Sequence, residues 1–252
     1  MSAMQTAVLG AVAGFTIFLG LPLAHLRVVT RERLALLNAL AVGVLLFLFV
    51  DVMEQATAPV EDALAQHQVI FWPLLALLSF GLGGALLGLI AYGQRVRQPG
   101  DATSAKRLAL LIATGIGLHN FAEGLAIGSA AQIGALTLAL SLVVGFGLHN
   151  ATEGFGIAAP LAGHPVSWSF LALAGLVAGG PTLLGTVLGM RFASAPVSVL
   201  FLALAAGSIL FVVVELLAVG RKLAAPTWIG WGLTAGLLAG FVTEFVLASA
   251  GG

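Results

Sequence analysis

Apolar stretches of about 20 residues or more follow one another along almost the whole sequence, and its Lys and Arg residues fall in or at the edges of the short breaks between them. A bilayer core about 30 Å thick is crossed by roughly 20 apolar residues in a helix, whose backbone groups satisfy one another. Charge clusters and Pro/Gly turns place eight spans at about 5–27, 34–56, 69–92, 107–131, 134–160, 167–190, 197–219 and 227–250. The fold expected is therefore an all-α integral membrane protein, with residues 1–252 forming one polytopic domain.

Composition closes off other classes. Charged residues are 8% of the chain against about a quarter in soluble domains, and mean hydropathy is +1.11, so no large soluble domain fits. A formal charge of zero offers no basic surface for nucleic acid. With no cysteine, disulfides and thiolate sites are excluded, and any metal must be held by nitrogen and oxygen. The first apolar run is too long for the core of a signal peptide and carries no Lys or Arg before it, so it is expected to be a permanent helix.

Orientation follows from the ten Lys and Arg residues. Arg27, Arg31 and Arg33 lie at the first break, Arg95, Arg97, Lys106 and Arg107 at the third, and Arg221 and Lys222 at the seventh; the even-numbered breaks hold only Arg191. Odd breaks are thus expected on the cytoplasmic side, with both termini outside.

Two repeats lie inside the apolar text. In the fainter one, Gly10, Val12, Ala13, Gly14, Leu19 and Gly20 of the first span match Gly175, Val177, Ala178, Gly179, Leu184 and Gly185 of the sixth. Ala41, Gly43, Leu46, Phe47, Val50 and Asp51 of the second span likewise correspond to Ala205, Gly207, Leu210, Phe211, Val214 and Glu215 of the seventh. A shift of five spans reverses direction through the membrane, so this predicts an inverted repeat of spans one to three and six to eight around spans four and five. Secondary transporters with that design carry their substrate site near the midplane.

The other repeat is nearly verbatim. Gly117-Leu118-His119-Asn120-Phe121-Ala122-Glu123-Gly124 in span four recurs as Gly147-Leu148-His149-Asn150-Ala151-Thr152-Glu153-Gly154 in span five. An ionisable group deep in a bilayer costs roughly 2.5–3.5 kcal/mol on insertion scales, so four of them with two amides mark a functional site. Positions i and i+4 share a helix face, so His119 with Glu123 and His149 with Glu153 can close on one ion, with Asn120 and Asn150 at the edge of that face. Imidazole with carboxylate suits Zn²⁺, Fe²⁺, Mn²⁺, Co²⁺ or Cd²⁺ better than Mg²⁺ or Ca²⁺. The structural alternative is that each His and Glu merely satisfies a helix neighbour.

Asp51 and Glu54, near the outer end of span two, and Glu215, near the cytoplasmic end of span seven, are candidate mouths of a cation pathway. Glu61, Asp62 and His67 read as an acidic outer loop, His164 as a loop residue past Pro160, and His25 and Glu244 as structural or interfacial. Gly84 and Gly88 form a small-xxx-small pair suited to helix packing or a homodimer contact.

The two His-Asn phrases resemble the fourth- and fifth-helix signatures of the ZIP family of zinc and iron permeases, its GufA-like branch in particular. The resemblance implies eight helices in a 3+2+3 plan and uptake of a divalent transition metal, zinc foremost, into the cytoplasm as transported substrate rather than cofactor. It implies a metal site of His119, Asn120, Glu123, His149, Asn150 and Glu153, and alternating access by spans one, four, five and six moving against two, three, seven and eight. The setting implied is a cell membrane, the inner one in a bacterium. Three departures stand out: Ala122 and Thr152 replace the family's usual Pro before Glu; Gly180 stands before Pro181 where a Glu is common, which favours one metal over two; and residues 93–106 carry no His. The rival of another class is an intramembrane zinc hydrolase, since the same four side chains could hold a catalytic zinc.

Overall fold

A computed structural model describes residues 2–25, 30–96, 102–191 and 194–251. They form eight α-helices: α1 (Ala3–Phe15), α2 (Arg31–Ala65), α3 (Phe71–Val96), α4 (Ala102–Gln132), α5 (Leu136–Ala158), α6 (Trp168–Gly189), α7 (Ala195–Leu223) and α8 (Pro226–Gly251). Local chemistry sets several ends. Ser2 and Gln5 close a capping box on α1, and the Thr30 and Ser167 hydroxyls accept from the backbone N–H of Arg33 and Phe170 at the starts of α2 and α6. Gly134, at φ +77°, turns the chain from α4 into α5, a conformation that costs glycine nothing. Arg27 and Arg97, which entered the charge count, lie outside the described residues.

Seven helical segments are long and apolar enough to cross a membrane among the described residues: Ala3–His25, which joins α1 to the turns after it, and stretches of α2, α3, α4, α6, α7 and α8. The exception is α5, whose 23 residues include His149, Asn150, Thr152 and Glu153. The side chains that single it out as a site helix also dilute its apolar character.

Two boundaries differ from expectation. The first span is not one helix: after Phe15 it tightens into 3₁₀ turns over Thr16–Leu19 and Leu21–His25. Here the Ala13 carbonyl is taken by the Thr16 hydroxyl at 2.6 Å and by the Asn150 amide at 3.0 Å, side chains substituting for regular backbone bonding. The second span, in turn, runs on to Ala65 as a 35-residue helix with Pro59 inside it. Glu61 and Asp62 are therefore helical, and Asp51 and Glu54 lie within α2 rather than near its end; His67 follows the helix at φ 52°.

Glycines set which helices approach closely. A methyl group built on Gly117 or Gly124 of α4 would collide with the carbonyls of Val177 or Thr182 of α6, and one on Gly20 or Gly154 would bring the residues after α1 into the backbone of α5. Gly14 and Gly179 block one another across α1 and α6. In a second set, Gly43, Gly232 and Gly236 bring α2 and α8 together, and Gly81 and Gly207 bring α3 and α7 together. Within each set many of the closest approaches are to backbone, joined by side-chain approaches at Gly10, Gly175 and Gly240. Between the sets they are to side chains: Gly115 to Val212, Gly156 to Leu216 and Gly93 to Leu111. Gly84 and Gly88 meet nothing within 4 Å, so they pack no helix of this chain.

The contacts recur in matched form. Gly124 meets Thr182 of α6 as Gly154 meets Ile17 of the first span, and Gly43 meets α8 as Gly207 meets α3.

Candidate metal site

His119 and Asn120 lie midway along α4, and Glu123 one turn on; His149, Asn150 and Glu153 repeat the arrangement on α5. The helices run antiparallel here, so each imidazole finds its carboxylate on the other helix. His119 Nε2 is 2.8 Å from Glu153 Oε1, and His149 Nε2 is 2.9 Å from Glu123 Oε1. Same-face spacing led to an expectation that all four side chains close on one ion; without an ion the pairs cross between the helices, because packing brings the facing helix's carboxylate within hydrogen-bonding reach.

Burial is nearly complete. The His119 and Glu153 side chains are 1% and 0% exposed, Glu123 is 6% exposed, and His149 is the most open at 11%. Several polar atoms here have no partner: the second carboxylate oxygens of Glu123 and Glu153, and the amide oxygens of Asn120 and Asn150. A buried acceptor without a donor costs about 1–3 kcal/mol, so a site lined with them suits an added cation. As they stand, no three or more His, Asp or Glu side chains among the described residues are gathered closely enough to hold a metal ion. Each Nε2 is engaged by a carboxylate, and an ion would have to displace those two hydrogen bonds.

The asparagines are anchored rather than free at the face edge. Asn120 Nδ2 donates to the Ala178 carbonyl of α6 at 3.0 Å, and Asn150 Nδ2 donates to the Ala13 carbonyl of α1 at 3.0 Å. Ala178 lies three residues before Pro181, and Ala13 three before Thr16, where α1 gives way to 3₁₀ turns. Each amide thus ties a site helix to a neighbour just before the point where that neighbour's regular bonding is interrupted, and presents its oxygen on the other side.

One approach to the pair is open. A cavity of about 650 Å³ is walled by α2, α5 and α8 and reaches His149, with Asp51, Gln55, Thr152, Thr243 and Glu244 on its walls. Toward the start of α4, fully buried Ile112, Ile116, Ile157, Ile209, Phe211 and Val212 fill the space. Of the three pathway candidates, Asp51 lines the cavity, Glu54 is exposed on α2, and Glu215 is buried on α7.

Some polar positions around the site escaped the sequence reading. Gln55 and Thr152 line the cavity, and Thr182 keeps a buried hydroxyl with no partner. Asn38 donates to the Leu216 carbonyl at 2.9 Å. Its signal was available: it is one of only three asparagines in the chain, alone among the apolar residues of α2.

Comparison with known protein families places the chain. The family profile described as ZIP Zinc transporter matches residues 94–248, more than half of the chain, and covers both His-Asn phrases. No curated protein matches the sequence.

Proposed function

The chain belongs to the ZIP zinc transporter family and is thus a multi-pass membrane transporter of divalent metal ions; from that premise we propose that it carries Zn²⁺ into the cytoplasm through a site formed by His119, Glu123, His149 and Glu153, with Asn120 and Asn150 beside it. The observation that carries this reading is the reciprocal pairing of the two phrases, each carboxylate keeping one buried oxygen without a partner. An ion entering between α4 and α5 exchanges two His–Glu hydrogen bonds for imidazole nitrogen and carboxylate oxygen ligands, a donor set suited to zinc, with Fe²⁺, Mn²⁺, Co²⁺ and Cd²⁺ as related cargo. Ligation is incomplete by design, because a transported ion must leave.

The 3+2+3 plan belongs to the same proposal. Its support is that matched contacts recur under exchange of the two halves: Asn120 to Ala178 with Asn150 to Ala13, and Gly124 to Thr182 with Gly154 to Ile17. Alternating access would move α1, α4, α5 and α6 against α2, α3, α7 and α8. Approaches to backbone occur within each set, whereas Gly115, Gly156 and Gly93 meet side chains of the other set, the looser kind of contact at which one set could slide past the other. With the basic residues at the odd-numbered breaks on the cytoplasmic side, both termini lie outside and the Asp51 cavity faces outward.

Reconstituted vesicles loaded with a zinc-sensitive dye test this. Zn²⁺ influx should saturate, and should collapse in Glu123→Ala and in His149→Ala. Influx that survives both substitutions removes the site assignment, and tight zinc binding without flux favours the hydrolase reading.

A further inference from the structure

Resting on the transport reading, we propose that Asn38 is a positioning residue for alternating access: its amide clamps α2 to α7 and so holds Leu216 where α5 closes the cytoplasmic end. Asn38 is 1% exposed, and its Nδ2 donates to the Leu216 carbonyl at 2.9 Å. Gly220 makes the room, since a methyl group there would stand 3.3 Å from the same nitrogen. The Leu216 side chain in turn meets α5. A methyl group on Gly156 would be 3.0 Å from Leu216 Cδ1 and 3.8 Å from Cβ of Ala41, which lies one turn along α2 from Asn38. Gly156 itself follows the site residue Glu153 by one turn.

Stability does not account for an asparagine at this position. The Leu216 carbonyl lies inside α7, where the helix supplies its own backbone donor. Asn38 Oδ1 is buried without a partner, a cost that an apolar side chain of similar size would avoid. What the amide adds is register: it fixes α7 against α2 at one level. When the inner end opens, α5 leaves Leu216, so a clamp that places Leu216 stabilises the inner-closed form and not the other.

The outer end carries no matching amide. The repeat that matches Asp51 with Glu215 sets Leu202 against Asn38, Val52 against Leu216 and Ala56 against Gly220. Val52 and Ala56 are buried there, and all three residues are apolar. The two ends of the repeat therefore differ in how firmly they close: the inner one is clamped, and the outer one opens onto the cavity.

Paired cysteine probes in this cysteine-free chain test the proposal. Ser208→Cys is buried where Gly115 brings α4 onto α7, and Ser141→Cys stands on the wall of the outer cavity. Each is labelled in oriented membrane vesicles with a small membrane-impermeant thiol reagent, the first from the cytoplasmic face and the second from the outer face. Asn38→Leu should speed labelling of Ser208→Cys roughly fivefold, the shift that losing one buried hydrogen bond gives, and should slow labelling of Ser141→Cys. Gly220→Ala, which crowds the amide without removing it, should move both rates in the same directions by less, and it decides the matter if Asn38→Leu does not fold. Faster labelling at both sites marks a structural loosening, and unchanged labelling of Ser208→Cys marks no role in closure; either result overturns the clamp while leaving the central site standing. Normal influx in Glu123→Ala would instead bring down the transport reading beneath it.

Discussion

Gly124 immediately follows Glu123, and its lack of a side chain sets how closely α4 lies on α6. A methyl group at this position would stand 2.8 Å from Thr186 N and 2.9 Å from the Thr182 carbonyl carbon, and closer still to that carbonyl's oxygen. Ordinary contact begins at 3.4 Å, and backbone atoms cannot rotate out of the way, so the helices must part by at least about half an ångström. Overpacking of this kind costs about 1–3 kcal/mol. Displacing Glu123 relative to His149 by a similar distance should reduce Zn²⁺ influx roughly tenfold, since a 1 Å misplacement in a reacting site can cost about a hundredfold. Two controls share the chemistry but not the clash. At Gly147 a methyl group would sit 3.4 Å from the Thr16 methyl, and at Gly84 it would meet nothing. Both Gly147→Ala and Gly84→Ala should transport normally and be no less stable, because alanine favours the helix. The assay is initial influx per reconstituted protein, with thermal unfolding in detergent alongside. Wild-type influx and stability in Gly124→Ala would refute the argument that backbone-close packing positions the site.

Further outcomes follow from the same geometry. Asn150→Ala removes the amide bonded to the Ala13 carbonyl, and should lower the unfolding midpoint in detergent with a loss of about 1–2 kcal/mol; Asn120→Ala should do the same through Ala178. Because the central donor set mixes imidazole and carboxylate, Cd²⁺ and Co²⁺ should compete with Zn²⁺ influx while Mg²⁺ and Ca²⁺ in large excess do not, measured as inhibition at fixed zinc. Gly117→Ala, which meets the Val177 carbonyl, should impair influx although Gly147→Ala, spelled identically in the other phrase, does not.

The helical architecture was legible because lipid-length apolar runs leave a chain few alternatives, and the site because His119, Glu123, His149 and Glu153 are costly where they stand. What the sequence could not supply depends on contacts between distant segments. The break after Phe15 involves Asn150, which competes for the Ala13 carbonyl 137 residues away from it. Cross-helix rather than along-helix pairing of the imidazoles is decided by how closely α4 and α5 approach, not by the i, i+4 spacing that drew attention to them. Glycine is the sharpest case: Gly84 and Gly88 carry the small-xxx-small signature and face open space, whereas Gly124 and Gly154, inside the phrases, meet backbone on α6 and on the first span. The extension of α2 through Pro59 to Ala65 was hidden because proline and clustered acids read as a loop.

X-ray absorption at the zinc edge of purified, zinc-loaded protein measures the central site without relying on flux. A mixed nitrogen and oxygen shell with imidazole scattering and ligands at about 2.0–2.1 Å is expected, and it should lose its imidazole signature in the His119→Ala, His149→Ala double variant. A shell of water oxygens alone, or imidazole scattering that persists without both histidines, would contradict the assignment of the ion to the space between α4 and α5.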